Sequence, residues 1–206
     1  MDNKVGNWSR TSSIKKTELT GFLGDIESRL PERHPYKDRD KMTWGHEGTH
    51  GINSRLRNGL QNYNAAYLLG SWAYFQNEPA TTLSLVKQNV PANLRGGVFD
   101  LYLIEQQRYW NNQPLYILDE FSAYTNSVFV GHELEMSNDR VGYAFEKGVE
   151  LWGYLEVLNK IESVGCIEFC RLRISAMCDL GRDKWYNNYQ GRQIDNINEY
   201  IRKTTN

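Results

Sequence analysis

The stretch Trp44-Gly45-His46-Glu47-Gly48-Thr49-His50 carries the pattern H-E-x-x-H, and it restricts what the surrounding chain can become. On a helix from Asp40 to Asn58, His46 and His50 stand one turn apart on the same face. Two imidazoles at that spacing reach one metal ion, and Glu47, beside the first, is placed to pull a proton from a metal-bound water. With only 4 His in 206 residues, such a pattern arises by luck with a probability of roughly half a per cent. The plain alternative is two polar residues on a solvated helix face. Trp44, Ile52 and Leu56 around them fit that poorly.

A chain of 206 residues suits one domain with a sizeable core, read here as 1–206 with a loose polar arm at 1–16 and a helical C-terminal part at 140–206. Its formal charge of −1 gives no electrostatic case for nucleic acid or an acidic membrane surface. Aromatics are plentiful, with 13 Tyr, 7 Phe and 6 Trp, which is core and interface material that also suits a groove gripping peptide or sugar. Cys166, Cys170 and Cys178 have neither zinc-finger spacing nor an even count, so they read as small buried hydrophobes. No apolar run is long enough for a membrane span, and Met1-Asp2-Asn3-Lys4 opens no signal-peptide h-region. The chain reads as soluble, either cytoplasmic or exported with its leader absent.

Along the chain, Thr17–Leu23 reads as a short strand and Asp25–Asp40, with Pro31, Pro35 and many charges, as a surface loop holding His34. Gly48 and Gly51 each cost the motif helix about 1 kcal/mol relative to Ala, which points to close approach of another backbone or to close packing. Asn58-Gly59 is a helix stop. Tyr63–Phe75 reads as a hairpin with Gly70 at the first central position of a two-residue loop, a helix being the competitor. A short helix over Thr82–Asn89 and a helical pattern over Phe99–Trp110 follow. Pro114 then sets up a helix over Leu115–Val130. Further helices are expected at Tyr143–Ser163, Cys166–Tyr189 and Ile194–Arg202. The fold class is α+β and mostly helical, with a metal-binding helix, a small sheet or hairpin, and C-terminal helices.

A catalytic zinc site needs three protein ligands and an open position. His34 and His132 are candidates for the third ligand, but the acidic pair Asp119-Glu120 is better. It sits in an apolar and aromatic run (Leu115, Tyr116, Ile117, Leu118, Phe121), where an unpaired carboxylate would be costly. One of the two then serves as ligand, and the other is free to orient an imidazole from behind.

His46-Glu47-Gly48-Thr49-His50, followed by a helix carrying Asp119-Glu120-Phe121-Ser122-Ala123-Tyr124, resembles the gluzincin class of zinc metallopeptidases over roughly residues 40–125. The resemblance implies a zincin-like fold, Zn2+ held by His46, His50 and Glu120, and Glu47 as general base and acid. The metzincin extension is absent, because Asn53 stands where that class has Gly. The chemistry implied is hydrolysis of a peptide or protein substrate: zinc lowers the pKa of its water towards ~7 and polarises the scissile carbonyl. Tyr124, Tyr109 and His132 are the candidate oxyanion donors, with Tyr124 nearest in sequence to the ligand. Two further readings stay open. One is amide hydrolysis in cell-wall peptides, and the other a metal-containing binding module without activity, against which an intact Glu47 counts. The hairpin offers a strand edge on which an extended peptide could pair.

Overall fold

The helix that carries the motif is capped at both ends by its own sequence. The structure, a computed structural model, describes residues 21–30, 34, 38–59, 63–68, 70–76, 79–165, 167–181 and 188–204. The arm expected at 1–16, the start of the strand expected at Thr17–Leu23, and Cys166 lie outside the described residues. In the motif helix, Lys41–Asn58, the Asp40 carboxylate accepts from the Met42 and Thr43 amides at 3.0 and 3.2 Å. At the other end the Gly59 N–H reaches the Arg55 and Leu56 carbonyls.

A short helix precedes it, where a strand and then a loop are expected. α1 runs Phe22–Arg29, and the motif helix is α2. The Asp25–Arg29 pair, four residues apart at 2.9 Å, bridges one turn of α1, and Ile26 buries itself on α2. The prolines that suggest a loop begin only at Pro31, after the helix has ended. The glycines of α2 accept side chains and not a foreign backbone. A Cβ at Gly48 would stand 2.8 Å from Ile26 Cγ2, and one at Gly51 would collide with the His34 ring.

The hairpin forms as β1 (Tyr63–Leu68) and β2 (Ser71–Gln76), antiparallel and in register from Tyr63 opposite Gln76 to Leu68 opposite Ser71. Ser71 is already the first residue of β2, paired with Leu68, so Gly70, with φ 73°, directly precedes the strand and does not open a two-residue loop with Ser71. β1 lies against α2 and α5 and separates β2 from them.

α5 (Tyr116–Glu133) is the axis of the fold, packed on α2 along one side and on α6 (Asn138–Ile161) along the other. Thirteen of its residues are buried, among them Leu118, Glu120, Phe121, Asn126 and Phe129, so a Pro-initiated, apolar helix is where the sequence pattern puts it. α3 (Leu83–Asn89) is capped by the Thr82 hydroxyl, 3.3 Å from the Leu85 amide. The helical pattern at 99–110 is not one α-helix. Phe99–Glu105 is wound wider, with the Gln106 N–H bonding back five residues to Leu101, and α4 (Gln107–Trp110) follows. Of the stretch expected as a helix from Cys166 to Tyr189, Ile167–Gly181 forms α7 and residues 188–189 open α8 (Asn188–Thr204), while residues 182–187 lie outside the described residues. Cys170 is buried and Cys178 half-buried on α7. An apolar cluster runs from Met42 on α2 to Ile197 on α8. No described helix is long and apolar enough to cross a membrane.

A polar seam runs through this apolar packing. Asn126, on α5, donates to Thr49 Oγ1 on α2 at 2.9 Å and to the Tyr67 carbonyl of β1 at 3.2 Å, all within the core. Removing the amide strands both acceptors away from water. Asn126→Ala is therefore expected to lower stability by about 2–4 kcal/mol, read as a lower urea midpoint with an unchanged m value; a loss under about 0.5 kcal/mol would deny the seam a structural role.

Candidate metal centre

α2 and α5 run antiparallel, and their facing turns put His46 and His50 opposite Asp119 and Glu120. His46 Nε2 and His50 Nε2 are 3.2 Å apart, and Glu120 Oε2 and Oε1 stand 3.7 and 3.8 Å from them respectively. A tetrahedral ion with bonds of about 2.0–2.1 Å spaces its ligand atoms roughly 3.3–3.4 Å apart. The three groups are thus close to ligand spacing, with both imidazoles and the carboxylate turned to one point, and they form a set that can hold a metal ion.

Asp119 does the other job. Its Oδ2 takes the His50 Nδ1–H at 2.8 Å, which leaves Nε2 as the ligating nitrogen. Its Oδ1 accepts from Asn53 Nδ2 at 2.6 Å and Arg57 Nη1 at 3.0 Å. Asn53 also donates to Ser122 Oγ at 2.8 Å and accepts the Tyr67 N–H at 2.7 Å, so the orienting carboxylate is braced against α5 and β1 together. Glu120 has its own brace: Tyr102, from the wide helical turn, donates to Oε2 at 2.9 Å, and the Tyr124 hydroxyl lies 3.1 Å from that of Tyr102.

The electrostatics follow from this burial. Desolvation, and then the neighbouring His50, press the pKa of His46 down to about 3. Burial pulls His50 the same way, but the Asp119 hydrogen bond and the charges of Asp119, Glu120 and Glu47 prevail and raise it to about 9. Desolvation pushes Asp119 up, yet the His50 bond with the charges of His50 and Arg57 leaves it below its ordinary value. Glu120 is held above its ordinary value by burial. The two Nε2 atoms, 3.2 Å apart, lie within hydrogen-bond reach of each other. A cation and a proton compete for the same place, between two imidazole lone pairs and a carboxylate.

Glu47 and Tyr124 line one cavity of about 480 Å³ with His46, Met42, Ser127 and Tyr143. The Tyr124 ring meets His46 edge-on, centroids 4.6 Å apart, and burial raises its hydroxyl to about 12, which keeps it a donor at neutral pH. The other sequence candidates stand apart. Tyr109 is exposed and held by Arg108. His132 is twelve residues past Glu120 on α5, about 18 Å along the axis. His34 packs over Gly51, with its ring centroid 6.2 Å from that of Trp44, and is not among the ligand set. The exposed strand of the hairpin, β2, is separated from α2 by β1, and β1 itself is held at Tyr67 by Asn53 and Asn126. No described residue of either strand lines the cavity beside Glu47.

Sequence reasoning missed Asn53, Arg57 and Tyr102. For the first two a signal existed, since they continue the His46–His50 stripe by one and two further turns. Tyr102 has none; only the packing of the wide turn on α5 brings it to Glu120. Comparison with protein-family models, with curated proteins and with solved structures finds no match to this chain.

Removing a ligand and removing an orienting group should differ in kind. His50→Ala and Glu120→Ala are expected to abolish stoichiometric metal uptake, while Asp119→Ala retains one ion per chain with affinity lowered about 10–100-fold. Metal content by mass spectrometry with competition against a chelating dye checks both. Full affinity in Asp119→Ala, or none in it at any concentration, would contradict the division of roles.

Proposed function

We propose that the protein is a zinc-dependent hydrolase of zincin type that cuts peptide bonds. The reading is carried by one observation: Glu47 and Tyr124 border the same cavity as the ligand His46. A structural metal site has no use for a free carboxylate beside its open side. The two-imidazole, one-carboxylate set and the helix bearing H-E-x-x-H against a helix bearing the acid both support it.

A zinc ion held by His46, His50 and Glu120 supplies Lewis acidity towards a carbonyl and makes water acidic enough to react near neutral pH. Glu47 takes the proton of the attacking water and hands it to the departing amine. Tyr124, protonated at neutral pH, turns its single O–H away from the Tyr102 oxygen to donate to the negative oxygen that develops on the substrate carbonyl. Tyr102 keeps both Glu120 and the Tyr124 hydroxyl in position through its own hydroxyl. Asp119 fixes the face that His50 turns to the ion.

Glu47→Gln is expected to keep one zinc per chain and to lose cleavage of casein or of a peptide library by at least about 100-fold in kcat. Tyr124→Phe should lower kcat about 10–100-fold with KM nearly unchanged. An intact zinc site with no cleavage of casein, peptide library or peptidoglycan peptides would leave a metal-containing binding module. Cleavage of the last substrate alone would move the reading to a cell-wall amide hydrolase.

A further inference from the structure

A second cavity, of about 250 Å³, opens on the other side of the ligands from Glu47. It is lined by Arg57, Trp110, Gln113, Leu115, Tyr116 and Asp119. Its wall is a stacked pair, Trp110 and Tyr116, with centroids 4.4 Å apart and planes 9° from parallel. The two cavities share helices: Thr43, His46 and Glu47 of α2 face Tyr124 and Ser127 of α5 in one, and Arg57 faces Tyr116 and Asp119 in the other. The ligands lie between them along the same seam.

Arg57 is the feature that gives this cavity a chemistry. It spends one N–H on Asp119 Oδ1 at 3.0 Å, and among the described residues it has no other partner. A guanidinium carries five N–H donors in a planar fork, so the rest of the fork is left to the cavity. Asp119 does not repel an incoming anion as a bare carboxylate would, because His50, Asn53 and Arg57 already occupy its oxygens. The guanidinium fork suits a carboxylate, and the flat aromatic wall beside it offers apolar contact to the chain that carries that carboxylate.

We infer that the Arg57 cavity is a substrate subsite that receives a carboxylate of the bound peptide, either an acidic side chain or the chain terminus. The inference rests on the proposed peptidase reading for its substrate class. Arg57 lies seven residues after His50 on α2, about 10 Å along the helix. An extended peptide advances about 3.3 Å per residue, so the favoured carboxylate falls about three residues from the bond that is cut. The cavity beside Glu47, bordered by Met42, Tyr124, Tyr143, Asp139 and Arg140, then holds the stretch on the other side.

Binding, and not turnover, tests this. The zinc-loaded Glu47→Gln protein is titrated calorimetrically with a set of extended peptides that carry a single Glu or Gln at successive positions, each with a free-acid and an amidated C-terminus. One placement of the carboxylate should bind at least about tenfold more tightly than its neutral counterpart. Adding Arg57→Gln should reduce that preference to within about twofold, each acidic peptide being compared with its neutral counterpart on the same zinc-saturated protein, so that any change in zinc affinity from the lost Asp119 contact cancels. Preference for an internal Glu identifies a side chain, and preference for the free acid alone identifies the terminus; each supports the subsite. Absence of any carboxylate preference, its survival in Arg57→Gln, or an equal loss for acidic and neutral peptides would overturn it, the last by reducing Arg57 to a support for Asp119. Casein cleavage by the unmutated protein reports the peptidase reading separately, so either can fail alone.

Discussion

The structure depends on a nearly buried carboxylate. Asp119 sits between α2 and α5 with its side chain 11% exposed, where a lone charge would cost several kcal/mol. It is tolerated because three donors converge on it, from His50, Asn53 and Arg57. All three come from α2, so the carboxylate fixes the rotation and register of one helix against the other. Within that register His46 and His50 face Glu120, and the ligand set is a consequence of how the helix pair satisfies its polar atoms.

The same logic extends outward. Glu120 is bound by Tyr102, and Tyr102 is carried by the wide turn Phe99–Glu105. That turn is itself anchored where fully buried Glu150, on α6, accepts the Gly97 and Val98 amides, each at 2.9 Å. Burial lifts the Glu150 pKa, and those two backbone bonds oppose the shift. A chain of hydrogen bonds thus runs from the middle of α6 to Glu120, through residues distant in sequence. Polar networks of this kind rigidify a site when every member is satisfied, and a constellation intended for catalysis needs such support to hold its geometry.

How much of this was legible depended on whether the determining contacts were local. Asp40 and Gly59 delimit α2 because capping is a matter of neighbours in sequence, and the apolar run after Pro114 gives α5 for the same reason. α1 was hidden by the prolines that follow it; its only local mark was the Asp25–Arg29 pair. The acidic pair Asp119-Glu120 could be recognised as buried and functional, but adjacent residues on a helix point about 100° apart. Which of them meets the imidazole lone pairs and which meets an imidazole N–H is settled by the placing of α5 against α2. Tyr102 and Glu150 belong wholly to tertiary structure.

The central claim is that His46, His50 and Glu120 together coordinate one zinc ion. X-ray absorption on the zinc-supplied protein tests it most directly. The expected spectrum shows two imidazole nitrogens and a carboxylate oxygen at about 2.0–2.1 Å with a light-atom fourth ligand. Failure to take up zinc, a sulfur shell near 2.3 Å, or a shell without imidazole scattering would contradict the account.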